Sequence, residues 1–297
     1  MELANLIDSL IDENIVDDDT KFSEFLTDND EYAPAILKFF VDECDDNLES
    51  LLCEEMMVRD GLYAGTSLKA ITVPSGVTYI GRQMFSGCHS LSSVNLPDTL
   101  LMIGGYAFEE CTSLKSVTLP SSVLTIERAA FWGSSINAIN LPSGLEGIGS
   151  RCFQDTRYLK EIEMPDSVES VGSRTFEHSG LEKIRLSAAL TTLSVRMFAK
   201  CENLKYIELP EGVERIRMDA FKDSGLEKII IPQSLSTLGS DVFSGTAAKI
   251  QIRGITGREN AIAWASANIG FVDDDRREDF ISRLRIRAGI LGYLYPR

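Results

Sequence analysis

Apolar residues recur along this chain in columns rather than in runs. Phenylalanine falls at positions 85, 108, 131, 153, 176, 198, 221 and 243, in steps of 22 or 23 residues, and Tyr63 heads the same column. Proline recurs at 74, 97, 120, 142, 165, 210 and 232, with Ser187 in the one gap. A third column reads Ile80, Ile103, Ile126, Ile148, Val171, Leu193, Ile216, Leu238. Three residues before it runs a fourth, from Val77 and Leu100 to Val213 and Leu235. The fifth is a triad, Leu68-x-x-Ile71-x-Val73, repeated as Leu91/Val94/Leu96 and onward to Leu226/Ile229/Ile231, with Ala247/Ile250/Ile252 a weaker ninth copy. A fixed period of this length marks a repeat architecture.

The alternation at the end of each triad predicts a short strand with one buried face. Proline ends it, because it has no N–H for a strand ladder. The Val-x-x-Ile pair brings the chain back inward, and Gly81–Phe85 reads as one short helical or 3₁₀ turn that drops the phenylalanine into the interior. No single copy can bury its apolar side chains alone, so copies must stack. Nine strands ~4.8 Å apart make a rod or arc about 40 Å long. The 22-residue copies are shortened between the aromatic and the next strand, where a loop tolerates the loss. Residues 179–184 and 224–229 both read Ser-Gly-Leu-Glu-Lys-Ile, which points to duplication of a two-copy unit.

These motifs, Leu-x-x-Ile-x-Leu-Pro, Val-x-x-Ile-Gly, Ala-Phe and Cys-x-x-Leu, resemble the BspA-type leucine-rich repeat family over residues 55–253. The resemblance implies an α/β solenoid, a right-handed leucine-rich horseshoe of about nine coils. It implies a binding role, often on cell surfaces or toward host proteins, and no enzyme activity. Residues 254–272 resemble the family's closing helix, with Ala261, Trp264 and Ala265 covering the last coil. Many relatives carry an export signal, and Met1–Leu10 has neither the basic start nor the apolar core of one. No run of about 18 apolar residues predicts a membrane span. The expected compartment is therefore cytoplasmic by default, while the resemblance also allows the cell surface or secretion.

Charge separates the ends from the repeat. The chain has 297 residues with 45 Asp/Glu and 29 Lys/Arg. Residues 1–60 hold 19 acids and three bases, a net of −16; that leaves 26 of each, a net of zero, in the rest. Such a segment would repel phosphates, so no nucleic acid partner is expected there. Residues 1–54 show two amphipathic stripes, Leu3/Leu6/Ile7/Leu10/Ile11 and Ile36/Leu37/Phe40/Val41/Cys44/Leu48. They read as a helical cap on the first coil or as an acidic docking arm. Residues 273–297 form an Arg-rich tail; its alternation from Ile281 to Arg287 suits an edge strand or a sticky arm, and its composition equally suits disorder.

Catalytic chemistry finds little support. The only histidines, His89 and His178, lie in separate turns. No His-Glu-x-x-His, Gly-x-Ser-x-Gly or phosphate-cradling glycine motif occurs, and the aspartate runs lack the spacing of a calcium loop. No cofactor or metal is expected. Cys88, Cys111 and Cys201 share one column with Thr66, Ser134, Thr156, Ser179, Ser224 and Thr246, three residues after the aromatic. A small side chain with a donor is wanted there to satisfy turn carbonyls. All six cysteines are expected as free thiols.

Outward strand positions give two further columns. The first four copies offer small neutral groups, Ala70, Ser93, Ser116, Ala138 and Thr72, Asn95, Thr118, Asn140. From the fifth copy the face becomes charged and aromatic, through Glu161, Glu163, Lys183, Arg185, Tyr206, Glu208, Lys228 and Ile230. Tyrosine and arginine are enriched at binding hot spots. These eight residues are the candidate docking patch for a protein partner on the strand face, with a structural or adhesive surface component as the alternative role.

Overall fold

The computed structural model describes residues 61–271 and 274–284. The acidic segment 1–54, with Cys44 and Cys53, lies outside the described residues, as does the tail beyond Leu284. The chain winds as a parallel β-solenoid in which each of the first eight coils contributes two strands and the ninth contributes one. The longer ones are β1 (Ala70–Thr72), β3 (Ser93–Asn95), β5 (Ser116–Thr118), β7 (Ala138–Asn140), β9 (Glu161–Glu163), β11 (Lys183–Arg185), β13 (Tyr206–Glu208), β15 (Lys228–Ile231) and β17 (Lys249–Ile252). Between them lie two-residue strands, β2 (Tyr79–Ile80), β4 (Met102–Ile103), β6 (Thr125–Ile126), β8 (Gly147–Ile148), β10 (Ser170–Val171), β12 (Thr192–Leu193), β14 (Arg215–Ile216) and β16 (Thr237–Leu238). The second ladder follows from the Val-x-x-Ile columns, but two residues are too few to show a strand period in sequence.

The apolar columns form one continuous core. Tyr63 and the phenylalanines from Phe85 to Phe243 stack in order, with ring centroids 5.3–5.9 Å apart and rings within 17° of parallel. Offset stacking at this spacing is favourable for aromatic pairs.

The segment before each phenylalanine corrects the expectation of a helical or 3₁₀ turn. It is a chain of tight turns. Met84, Ser86 and Cys88 donate to Gly81, Gln83 and Phe85 within the coil. Gln83, Phe85 and Gly87 donate instead to Gly105, Ala107 and Glu109 of the next coil, at 2.8–2.9 Å. Left-handed backbone at Gln83 (φ 57°) and Gly87 (φ 70°) turns alternate amides outward. A helix would aim every amide back into its own coil, and the stack would lose this third ladder.

The left-handed site two residues after each aromatic holds glycine at 65, 87, 133 and 245, and Glu110, Asp155, His178, Lys200 or Asp223 in the other copies. Left-handed backbone costs a side chain about 1–2 kcal/mol. Thermal melts should show Gly133→Ala destabilised by about 1 kcal/mol and Lys200→Gly stabilised by up to that amount.

Two helices follow the last coil. Helix α1 (Arg258–Asn268) buries Ala261 and Ala265, and Trp264 packs partly buried against the core. Helix α2 (Asp274–Arg283) buries Phe280, which meets Phe271 at 5.5 Å. The start of the alternating Ile281–Arg287 stretch is therefore helical. Its Leu284 then forms a parallel bridge with Ile250 of β17.

Candidate functional site

The strand face is interrupted at regular intervals. β1 pairs with β3, β5 with β7, β9 with β11, and β13 with β15 and β17. Between β3 and β5, β7 and β9, and β11 and β13 no strand pairing is present. All three seams follow 23-residue copies, and the 22-residue copies all carry pairing. The shorter turn draws the coils together. Gly180 donates to Thr156 and Gly225 to Cys201, and a Cβ at either glycine would overlap the neighbouring Arg157 or Glu202 carbonyl oxygen. The extra residue of the longer copies relaxes that approach, although β1 and β3 pair across one. At each seam the inward residue of the preceding strand, Val94, Ile139 or Ile184, is only partly buried, while its equivalents in β1, β5, β9 and β13 are buried.

The third seam opens into a cleft of about 570 Å³ between β11 and β13. Its floor is Ile184, Leu186, Ile207, Leu209 and Pro210, and its rim carries Lys183, Arg185, Tyr206, Glu208 and Arg253. Four of the eight candidate residues thus meet at one opening. Tyr206 stands 44% exposed, donates from its hydroxyl to Glu208 at 3.0 Å, and carries the Lys228 ammonium 5.2 Å from its ring centroid. Burial and the Glu208 carboxylate beside it push its phenol above the ordinary range. Ile230 lies half-buried, in register between Glu208 and Gln251. Glu161 and Glu163 stand one coil before the cleft, outside its lining.

The charges are largely paired. Lys183 donates to Glu161 at 2.7 Å, which raises the lysine pKa. Arg185 forks onto both oxygens of Asp166 at 2.8 and 2.9 Å and donates to the Met164 carbonyl. Asp166 also accepts from the Ala188 N–H, and that bond, ahead of the arginine, holds its carboxyl below the usual value. Glu163 is exposed, with no side-chain hydrogen bond or ion pair among the described residues.

The sequence reading missed Arg253. It reaches Glu208 at 2.8 Å, Glu211, and the Leu209 carbonyl at 2.8 Å, bridging coils 42–45 residues away. Its signal was present: Arg253 occupies the proline position of the ninth copy. With proline absent, its own N–H donates to Ile231 at 2.9 Å.

Elsewhere polar groups serve the fold. Thr66, Ser134, Thr156 and Thr246 donate to the carbonyl of their own aromatic residue at 2.7–2.8 Å. The thiols of Cys88, Cys111 and Cys201 reach the previous coil's aromatic carbonyl at 2.9–3.1 Å instead. Cys88, Cys111, Cys152 and Cys201 are free and buried. Burial lifts the Cys201 thiol from 9.0 to about 11. The unfolded chain loses that proton first, so this contribution to stability is whole below pH 9 and is lost as pH rises toward 11. Ellman titration at pH 8 should find six thiols in denaturant without reductant, and these four should react slowly in the native protein. A denatured count of four or fewer would establish bridges.

His178 Nδ1 lies 2.7 Å from Asp155, and His89 Nδ1 3.0 Å from the Glu110 carbonyl, so the two rings are engaged in different turns. Among the described residues no cluster of three metal-ligating side chains occurs, and no helix is long and apolar enough to cross a membrane.

Comparison with known proteins adds the family. A family model described as the BspA type leucine rich repeat region matches residues 57–136 and 124–249, in six copies. A leucine-rich repeat protein from Bacteroides ovatus ATCC 8483 is 31% identical with a TM-score of 0.57, over 61% of this chain and 50% of that one. A leucine rich cell surface protein from Faecalibacterium prausnitzii A2-165 is 30% identical with a TM-score of 0.43, over 69% and 64%. This chain thus spans between half and two thirds of the length of those proteins. No curated protein matches the sequence.

Proposed function

From the premise that this chain belongs to the BspA-type leucine-rich repeat family, we propose that it is a non-enzymatic binding protein that docks a protein partner on its strand face. The observation that carries this reading is the cleft between β11 and β13. It presents an apolar floor beside an exposed tyrosine, and exposed aromatic residues next to pockets are where interface energy concentrates. The paired rim supports the same reading. Ion pairs formed beforehand hold their side chains in place, so less conformational freedom is lost when a partner arrives.

In this reading the cleft is the centre of the docking patch. Lys183, Arg185, Tyr206 and Glu208, with Arg253, line the cleft; Lys228 and Ile230 support it; Glu161 and Glu163 belong to a flank. The non-enzymatic reading rests on the family and on the engagement of both histidines in local contacts.

A photo-crosslinking residue at Tyr206 tests the docking face. In extract of the native host it should capture a discrete protein, and Ile184→Glu in the same chain should abolish that capture. A crosslinker at Leu124, which is exposed and outside the cleft, should not yield the same adduct. Identical adducts from both positions, or capture unaffected by Ile184→Glu, would sink the assignment.

A further inference from the structure

The chain does not leave the solenoid at its two helices. After α1, Gly270 returns to the second ladder, bridging Thr237 in parallel and donating to the Ser236 carbonyl at 2.9 Å. After α2, Leu284 returns to the long ladder and bridges Ile250 in parallel. Ile250 is itself in register with Ile229 of β15. The helices therefore replace the proline segment and the aromatic turn of one coil, and the chain comes round to begin another. Ile269, Phe280 and Leu284 are buried along this route, and Ile281 packs partly buried against the core.

The bridge at Leu284 fixes a register. A full copy places apolar residues 3, 5, 9 and 12 positions after the first residue of its triad, as Leu226 is followed by Ile229, Ile231, Leu235 and Leu238. Counted from Ile281, the same offsets give Leu284, Ile286, Ile290 and Tyr293. Leu284, at the offset of Ile229 and Ile250, is the residue seated on β17. The match is not automatic, since the ninth copy has Thr256 and Glu259 at the last two offsets. Arg287 falls at the proline position, as Arg253 does one copy earlier. Arg285 falls beside Gln251 in an outward column, where its charge stays in water.

We propose that the far edge of β17 is the docking surface for residues 285–293 of this same chain, which add a tenth copy in parallel to the long ladder. β17 is the last strand of its sheet, and among the described residues only Leu284 pairs with its far edge. Ile286 lies beside Ile252, and Ile290 and Tyr293 fall in the columns that end at Leu235 and Leu238. The added copy closes an edge that would otherwise accept a strand from another chain. The chain's own segment outcompetes a second copy, because Leu284 is already in place and the next residues pair without closing a loop. The inference does not depend on the docking of a partner at the cleft.

Cross-linking and amide exchange on the full chain test it. Gln251→Cys/Arg285→Cys puts two outward thiols on neighbouring strands, ~4.8 Å apart at Cα, within reach of a disulfide. Mild oxidation should join them within one chain, as read by mass spectrometry of tryptic peptides. Gln251→Cys/Arg287→Cys is displaced by ~6.6 Å along the strand and should link about tenfold more slowly. In the chain without added cysteines, the amides of residues 285–287 should exchange about tenfold or more slower than in an unstructured peptide. Ile286→Glu should remove that protection and promote association, whereas Arg285→Gln should keep it, because only the first turns a charge toward the core. A disulfide formed only between chains would give the edge to a second copy and overturn the proposal. Faster linkage of the displaced pair, unprotected amides at 285–287, or equal loss in both substitutions would overturn it as well.

Discussion

Replacing Phe153 by alanine should cost ~3–5 kcal/mol and loosen the solenoid only near its own coil. The ring is fully buried and sits between Phe131 at 5.6 Å and Phe176 at 5.5 Å. Its loss removes both stacking partners' contact and leaves a cavity that the two flanking coils cannot close. They are held at their spacing by turn hydrogen bonds on either side, from Phe131 to Cys152 and from Phe153 to Thr175. Because each coil touches only its neighbours, the disturbance should fade within one or two coils. Amide exchange followed by mass spectrometry should show lost protection in residues 131–198 and near-native protection in coils beyond. Uniform loss from Tyr63 to Ile252 would contradict a quasi-one-dimensional fold.

Deleting residues 1–54 should lower the melting temperature and promote association. Tyr63 heads the aromatic column and stacks on Phe85 on one side, yet it is fully buried, and Leu62 and Leu68 beside it are buried too. If the amphipathic stripes of the acidic segment supply the remaining cover, the deletion opens an apolar coil end and an unpaired strand edge together. Each large side chain uncovered would forfeit ~1.5–3 kcal/mol. Melting of residues 55–297 against the whole chain, with light scattering, separates a cap from a docking arm. A truncated protein that stays monomeric and melts unchanged would identify the segment as an arm.

How much of this was legible beforehand depends on the range of the interaction. The columns of Phe85, Pro74, Val77 and Ile80 were readable because a solenoid repeats one environment at every period, and a buried slot accepts the same residue type each time. The cysteine column was readable for the same reason, since each coil has an aromatic carbonyl to satisfy. The turn before each aromatic was not, because its alternation of amides between two coils leaves no apolar period. The left-handed residues that enable it include Arg151, Arg174 and Lys200 as well as glycine.

From the sequence alone follow the coil, its length, the stack and the two faces of the long strands, since each depends on burial repeated within one period. Tertiary structure alone decided where the ladder stops. Pairing of β11 with β9 rather than β13 depends on how closely two turns approach, and at the third seam the longer copy relaxes that approach. The cleft at Tyr206 exists because of that gap, and Arg253 reaches it from two coils away because proline's place was vacant there. The copy lengths and the missing proline stand in the sequence, but neither states how far apart two coils lie, and that distance sets both the gap and the reach of Arg253.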